Sequence, residues 1–470
     1  MTAGALVAGV DSSTQSCKIV VCDAETGALV RSARAAHPDG TEVDPQAWWA
    51  AWEQASAGGI LDDVAAIAVG GQQHGMVTLD EADEVVRPAL LWNDTRSAPD
   101  AAALVAEFGG PAAWAQQMGV VPVAAVTVSK LRWLARNEPD NLARTRTCVL
   151  PHDWLTGRIL AAGGGFTRWS TDRGDVSGTG YWSAFTQDYR ADVLDLAIGR
   201  SLEVPAVLAP NVAAGATQSG LLVAPGTGDN MGAALGLGLV PGDVVVSLGT
   251  SGTVFARHEA PVADASGALQ SFADAEGGYL PLLCTLNAAR VLTAGAGMLG
   301  VDLAGLDELA LAGQPGAGGL TLLPYLDGER TPNLPGATGS LLGLTRSNAT
   351  PENLARAVVE GMLLNLVAGV DGLQDTGIEV RRVLLIGGAA ASRAVRQIAS
   401  ELFAVPVAVP AAGEYVGIGA ARQAAWVLSG ADAPPDWPVR IESASEPGPA
   451  RQRAEIVGRY REALATVHGG

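Results

Sequence analysis

The chain is short of positive charge, of cysteine and of histidine, and each shortage closes off a class of function. Its 470 residues hold 30 Lys and Arg against 49 Asp and Glu, a formal charge of −19. Nucleic acid and anionic membrane surfaces both call for clustered Lys and Arg, so neither is expected as a partner. The acidic residues are spread thinly, which is the ordinary pattern of a solvated surface. The 4 cysteines, Cys17, Cys22, Cys148 and Cys284, have no metal-site spacing and read as reduced, buried side chains of a cytoplasmic protein. Every apolar run is cut by Gly, Pro or a charge before it reaches membrane length. The first strand begins too early to leave room for a leader peptide. There is no GxSxG elbow, no HExxH, no Walker loop and no dinucleotide fingerprint.

What is present is a motif that occurs twice. GVDSSTQSCKIVVCD, from Gly9 to Asp23, and SLGTSGTVF, from Ser247 to Phe255, each read as a β-run, a turn of small hydroxylated residues and Gly, and a second β-run. The pattern predicts a hairpin with Asp11, Ser12, Ser13 and Thr14 at its tip, and another with Gly249, Thr250, Ser251 and Gly252 at its tip. Small residues let backbone N–H groups and hydroxyls converge on an anion such as a phosphate tail. One such turn is usually only a hairpin. Two, half the sequence apart, imply a duplicated domain that handles a nucleotide. With 48% apolar residues the protein can bury more than one core, and its length predicts two or three domains. The boundary is expected near Pro241, giving domains 1–240 and 241–470.

Between the hairpins strands and helices alternate. Asp44 and Pro45 open an amphipathic helix carrying Trp48, Trp49 and Trp52, all read as core. A buried strand over Val64 to Val69 runs into GGQQHG, and strand ends are where α/β sheets place chemistry. His74 there is read as a neutral partner of a polyol hydroxyl, with a buried structural histidine as the alternative. LLWNDTRS, from Leu90 to Ser97, concentrates Trp92, Asn93, Asp94 and Arg96. STDRGDVSGTGYW reads as an irregular loop. In the second half TLLPYLDGERTPNLPG reads as an ordered loop, a long helix is expected from Asn353, and the strand Val383 to Ile386 ends in GGAAASR, whose following helix N-terminus could hold a nucleotide.

Asp229 stands at a strand end and a helix start together. A helix cap and a catalytic acid fit that segment equally; the second acid, Asp11, in the first phosphate-type turn tips the reading toward chemistry. Phosphoryl transfer needs a neutralised nucleotide and a base that orients the acceptor hydroxyl. Asp11 suits the first requirement and Asp229 the second.

Taken together, GVDSSTQSCK, DPQAWW, GGQQHGMVTLD, RPALLWNDTRS, GTGDNMGAALG, SLGTSGTVFA, LPYLDGERTPN and IGGAAASR resemble the FGGY family of carbohydrate kinases, most closely its xylulokinase branch. The resemblance spans nearly the whole sequence. It implies an α/β fold of duplicated actin-like, ribonuclease H-like βββαβαβα domains closing over an interdomain cleft. It also implies transfer of the γ-phosphoryl of MgATP to the terminal hydroxyl of an open-chain ketopentose, with D-xylulose first. Asp229 matches the proton acceptor and Asp11 the acid near Mg2+, reached through water. Gln73, His74 and Asn230, with Trp92 and Asp94, match the sugar side. Ser13, Thr14, Lys18, Gly249, Thr250, Gly387, Gly388 and Ser392 match the nucleotide side. The partners implied are a small sugar and ATP, and a homodimer is compatible with it. Ala389 and Ala390 stand where many relatives have glycine and arginine, and the stretch from Gly215 to Val223 is shorter than usual by most of a helix. A kinase for another ketose or polyol, or an actin-like ATPase without a sugar, are the alternatives.

Overall fold

The computed structural model describes residues 4–469 and divides into two compact units. The first runs up to Leu239 and takes in His258–Leu280 and Gly413–Pro438; the second comprises Val240–Arg257, Pro281–Ala412 and Val439 onward. The first unit therefore draws on two segments that lie beyond residue 240.

Both units are built on the same sheet. In the first, Leu6–Ser12 and Ser16–Asp23 pair antiparallel, Leu29–Ala36 extends that meander, and Val64–Gly71 and Leu222–Val223 add in parallel on the other side. In the second, Asp243–Leu248, Gly252–Ala256 and Tyr279–Thr285 repeat the antiparallel run, and Arg382–Ile386 and Val407–Pro410 add in parallel. Leaving aside Thr227–Gly228 and the edge strands Gly215–Ala216, Gln270–Ala273 and Ile441–Ser445, each sheet reads third, second, first, fourth, fifth strand. This is the duplicated actin-like, ribonuclease H-like fold. The shortened stretch before Asp229 closes as a small hairpin, Gly215–Ala216 against Leu222–Val223, and no helix stands there.

Alternation of side chains along the strands makes two cores in the first unit. Ala8, Val10, Ile19, Val21, Ile67 and Val69 face the helices carrying Trp48, Trp52 and Trp154. Val7, Val20, Ala66 and Ala68 face Ala420, Ala421 and Ala424 of the helix Tyr415–Ser429. Each fully buried large side chain contributes about 1.5–3 kcal/mol. Asp44 caps the Pro45–Ser56 helix by accepting from the Gln46 amide at 2.9 Å, as the Asp-Pro pair predicts.

In the second unit Pro351–Asp375 is longer than the interrupted apolar runs suggest. Among the described residues it is the one continuous helix with the length and apolarity of a membrane span, and 83% of its most apolar 18-residue stretch is buried. Its Arg356 and Glu360 pair at 2.6 Å and are both covered, so it is a core helix. Cys17, Cys22 and Cys148 are buried as expected, whereas Cys284 is only half-buried. Burial pushes the Cys17 thiol up to about 12.

Candidate functional site

The first hairpin is tighter than its sequence suggests. The strand continues through Ser12 and the return strand starts at Ser16, so residues 13–15 form the tip, and Asp11 and Ser12 lie on the strand. Asp11 is 3% exposed. Its Oδ1 accepts from the Ser13 hydroxyl, and Oδ2 lies 3.3 Å from Lys18 Nζ, which also meets Glu414 at 2.7 Å. Burial works against the Lys18 ammonium, but the two carboxylates outweigh it and hold its pKa above the ordinary value. Thr14 accepts from the Trp92 indole N–H at 2.8 Å, so the hairpin tip and the Trp92 loop are one piece.

Asp94 is committed inside that loop. Its oxygens accept from the Arg96 amide at 3.0 Å, from Arg96 Nε at 2.9 Å and from the Thr41 hydroxyl at 2.9 Å. Burial alone would raise its pKa, but these donors hold it below the usual carboxylate range. Asp94 thus braces the loop carrying Trp92.

Two adjacent strand ends build the centre. Val64–Gly71 runs into Gln72, Gln73 and His74, and Thr227–Gly228 pairs with Gly70 and Gly71 immediately before Asp229. The helix Asp229–Gly236 lies backbone to backbone on Tyr415–Ser429: a Cβ on Gly419 would sit 1.8 Å from the Gly232 carbonyl oxygen. Only glycine permits that approach, and it fixes where Asp229 emerges. Asp229 is half-buried. Its Oδ1 accepts from the Asn230 amide at 2.8 Å and from Asn230 Nδ2 at 2.9 Å, and Nδ2 also donates to Gln73 Oε1 at 2.9 Å. With Oδ1 engaged, Oδ2 is the oxygen left to take a proton. Burial, then the charges of Asp175 and Asp11, push the Asp229 carboxyl up to about 7 against the Asn230 hydrogen bonds. That matches a general base to neutral pH.

His74 is held from both sides. It adopts φ +66°, a conformation uncommon outside glycine, and its carbonyl accepts from the Thr127 hydroxyl and from Lys130 Nζ, each at 3.1 Å. Its Nδ1 lies 2.8 Å from the Gly178 carbonyl, which can only accept, so Nδ1 carries the hydrogen. The Phe272 ring lies 5.6 Å away. Lys130, on the helix Thr127–Asn137, is fully buried.

A second buried cluster went unread in PHDW and STDRGD. His152 is surrounded by Asp175 at 2.8 Å, Asp153 at 3.1 Å and Asp172 at 3.6 Å, all withdrawn from water. Burial opposes the imidazolium, but the carboxylates prevail and lift it to about 9, while burial raises Asp175 to about 6. STDRGD is ordered, as the strand Ser170–Asp172 and a short helix capped by Asp172. The Asp175 charge thereby adds to the basicity of Asp229.

In the second unit, Gly249 and the exposed Thr250 form the tip between Asp243–Leu248 and Gly252–Ala256. Gly387, at φ +92°, presses on Leu248, where a Cβ would meet backbone at 2.6 Å; Gly388 faces open space. Ser392 caps the helix Arg393–Leu402 and donates to Asp307 at 2.5 Å, and Asp307 also accepts from the Arg393 amide. The Ser392 hydroxyl and the Arg393 amide are thus both engaged by Asp307.

The N-terminal domain of the FGGY family of carbohydrate kinases matches residues 6–238, and its C-terminal domain matches residues 244–428. The chain belongs to the FGGY family. Among FGGY relatives, the xylulose kinase of Streptomyces coelicolor is 45% identical over 445 residues, covering 92% of this chain and 89% of that protein. The Escherichia coli xylulose kinase is 33% identical over 441 residues, covering 88% and 89%. The crystal structure of xylulose kinase from Bifidobacterium adolescentis superposes with a TM-score of 0.91 at 45% identity, covering 98% of this chain and 99% of that one.

Proposed function

We propose that this FGGY kinase transfers the γ-phosphoryl group of ATP to the terminal hydroxyl of D-xylulose in its open-chain form, giving D-xylulose 5-phosphate and ADP. The observation that carries the reading is Asp229. It is a carboxylate raised to about 7, anchored through Oδ1 and hydrogen-bonded through Asn230 to Gln73, in a protein 45% identical to a xylulose kinase. Asp229 Oδ2 takes the proton from the acceptor hydroxyl as its oxygen bonds to the γ-phosphorus; the bond from that phosphorus to the β–γ bridging oxygen breaks, and ADP leaves. Gln73, His74 and Asn230 hold the sugar, with Trp92 as a wall. Ser13, Thr14 and Lys18 in the first unit, and Gly249, Thr250, Gly387 and Gly388 in the second, are assigned to the nucleotide.

Asp11 fits Mg2+, a hard cation that keeps several waters and takes one or two carboxylates with substrate phosphates. Among the described residues no group of three or more His, Cys, Asp or Glu comes together to hold a metal, which suits an ion held largely by the nucleotide. Bound, it would neutralise phosphate charge. A kinase of this kind works where ATP is, in the cytoplasm. ADP release, measured by a coupled assay with and without D-xylulose and then across other pentoses, hexoses, glycerol and gluconate, tests the reading. Strong dependence on D-xylulose supports it; sugar-independent release points to an ATPase, and preference for another sugar reassigns the substrate.

A further inference from the structure

The hydrogen bonds around Asp229 fix the polarity of Gln73. A carboxylate oxygen only accepts, so Asn230 turns its NH2 toward Asp229 Oδ1 at 2.9 Å. The same NH2 donates to Gln73 Oε1 at 2.9 Å. Gln73 therefore has its carbonyl end engaged and presents its NH2 end elsewhere. That nitrogen is buried and has no partner among the described residues, and Gln73 as a whole is 5% exposed. Buried donors are almost always satisfied, and leaving one bare costs the desolvation of the group. The nitrogen lies beside His74: a Cβ placed on Gly178 would be 3.5 Å from Gln73 Nε2 and 2.7 Å from His74 Cε1. The absence of a side chain at Gly178 keeps that space clear.

Resting on the sugar-kinase reading, we propose that Gln73 is the residue that recognises the ketone of the acceptor sugar. Oriented by the relay from Asp229 through Asn230, its Nε2–H donates to the carbonyl oxygen, and the site thereby favours a ketose over the corresponding alditol. A ketone oxygen can only accept, so it satisfies an amide donor and leaves nothing over. A hydroxyl oxygen in the same place would accept equally well, but would bring a hydrogen that needs an acceptor of its own. Asn230 serves as a positioning residue.

The test uses the full-length protein with Gln73→Glu, which keeps an oxygen for Asn230 and replaces the donor by an acceptor. KM for D-xylulose is compared with the inhibition constant of xylitol, its C2-reduced counterpart, at saturating ATP. The preference for ketose over alditol should fall at least about tenfold, the scale of one lost hydrogen bond to a buried group, while KM for ATP stays unchanged. Comparing two sugars at one site cancels any effect of the new charge on Asp229. Gln73→Met, which removes the donor without adding charge, should raise KM for D-xylulose more than it changes kcat; it decides the matter if the Glu variant does not fold. An unchanged preference in Gln73→Glu, or an unchanged KM in Gln73→Met, in an enzyme whose wild type phosphorylates D-xylulose, overturns the ketone assignment alone. A wild type indifferent to D-xylulose overturns the kinase reading as well.

Discussion

The acid limb of the pH–rate profile should sit near neutrality and belong to Asp229. In the folded protein this carboxyl is raised from 3.8 to about 7 by burial and by the charges of Asp175 and Asp11. A general base works only when deprotonated, so activity must be lost as pH falls through that value and recovered as it rises. For a group at about 7, the ionised fraction grows from about one-tenth at pH 6 to about nine-tenths at pH 8, and kcat/KM should climb about tenfold over that interval. Asp175→Asn removes the largest single charge acting on Asp229 and should move the limb to lower pH. Asp229→Asn should remove the limb and cost about 10²- to 10⁴-fold in kcat, with sugar affinity little changed. The assay is initial-rate ADP release across pH 5.5–9 at varied D-xylulose. A profile flat down to pH 5.5, which leaves the limb toward the ordinary carboxylate position of 3.8, or near-normal turnover in Asp229→Asn, would refute the reasoning.

Three further outcomes follow from the packing. His74→Ala should raise KM for D-xylulose by roughly the equivalent of 1–3 kcal/mol for a buried polar group left unpaired and spare KM for ATP; equal losses for both, with a lower melting temperature, would make His74 structural. His152→Ala leaves Asp153, Asp172 and Asp175 buried around a missing cation and should destabilise the first unit by on the order of 3–5 kcal/mol, read from the urea midpoint; an unchanged midpoint would show that the cluster is neutral. Gly419→Ala drives a methyl into the Gly232 carbonyl and should lower both the melting temperature and kcat, because the Asp229 helix rests on that contact; full activity at unaltered stability would show that the helix pair yields without moving Asp229.

The strand and helix order was largely legible, because apolar periodicity and punctuation by Gly, Pro and Asp are local signals. The Asp44-Pro45 helix start, the paired hairpins and the position of Asp229 at a strand-to-helix turn could all be read from neighbouring residues. Local signals also misplaced Asp11 by a few positions, since whether a strand continues through Asp11 and Ser12 depends on Lys18 and Cys17 across the hairpin and on Gly70 and Gly71 alongside. Asp94 and Ser392 are assigned to ligands through the family resemblance. Their hydrogen bonds to Arg96, Thr41 and Asp307 could not be read from neighbouring residues alone.

By itself the sequence determined which residue types line each strand end, the duplication, and the acid pair Asp11 and Asp229. Tertiary structure alone decided what those residues can do. It brought Asn230 between Asp229 and Gln73, 157 positions apart in the Asn230–Gln73 pair, set Lys130 beneath the His74 carbonyl, and buried His152 among three acids. The physical reason is that basicity and hydrogen-bond polarity are properties of an environment. Proton affinity follows from the charges and solvent around a carboxyl, and an amide has a donor end only once something else has claimed its oxygen.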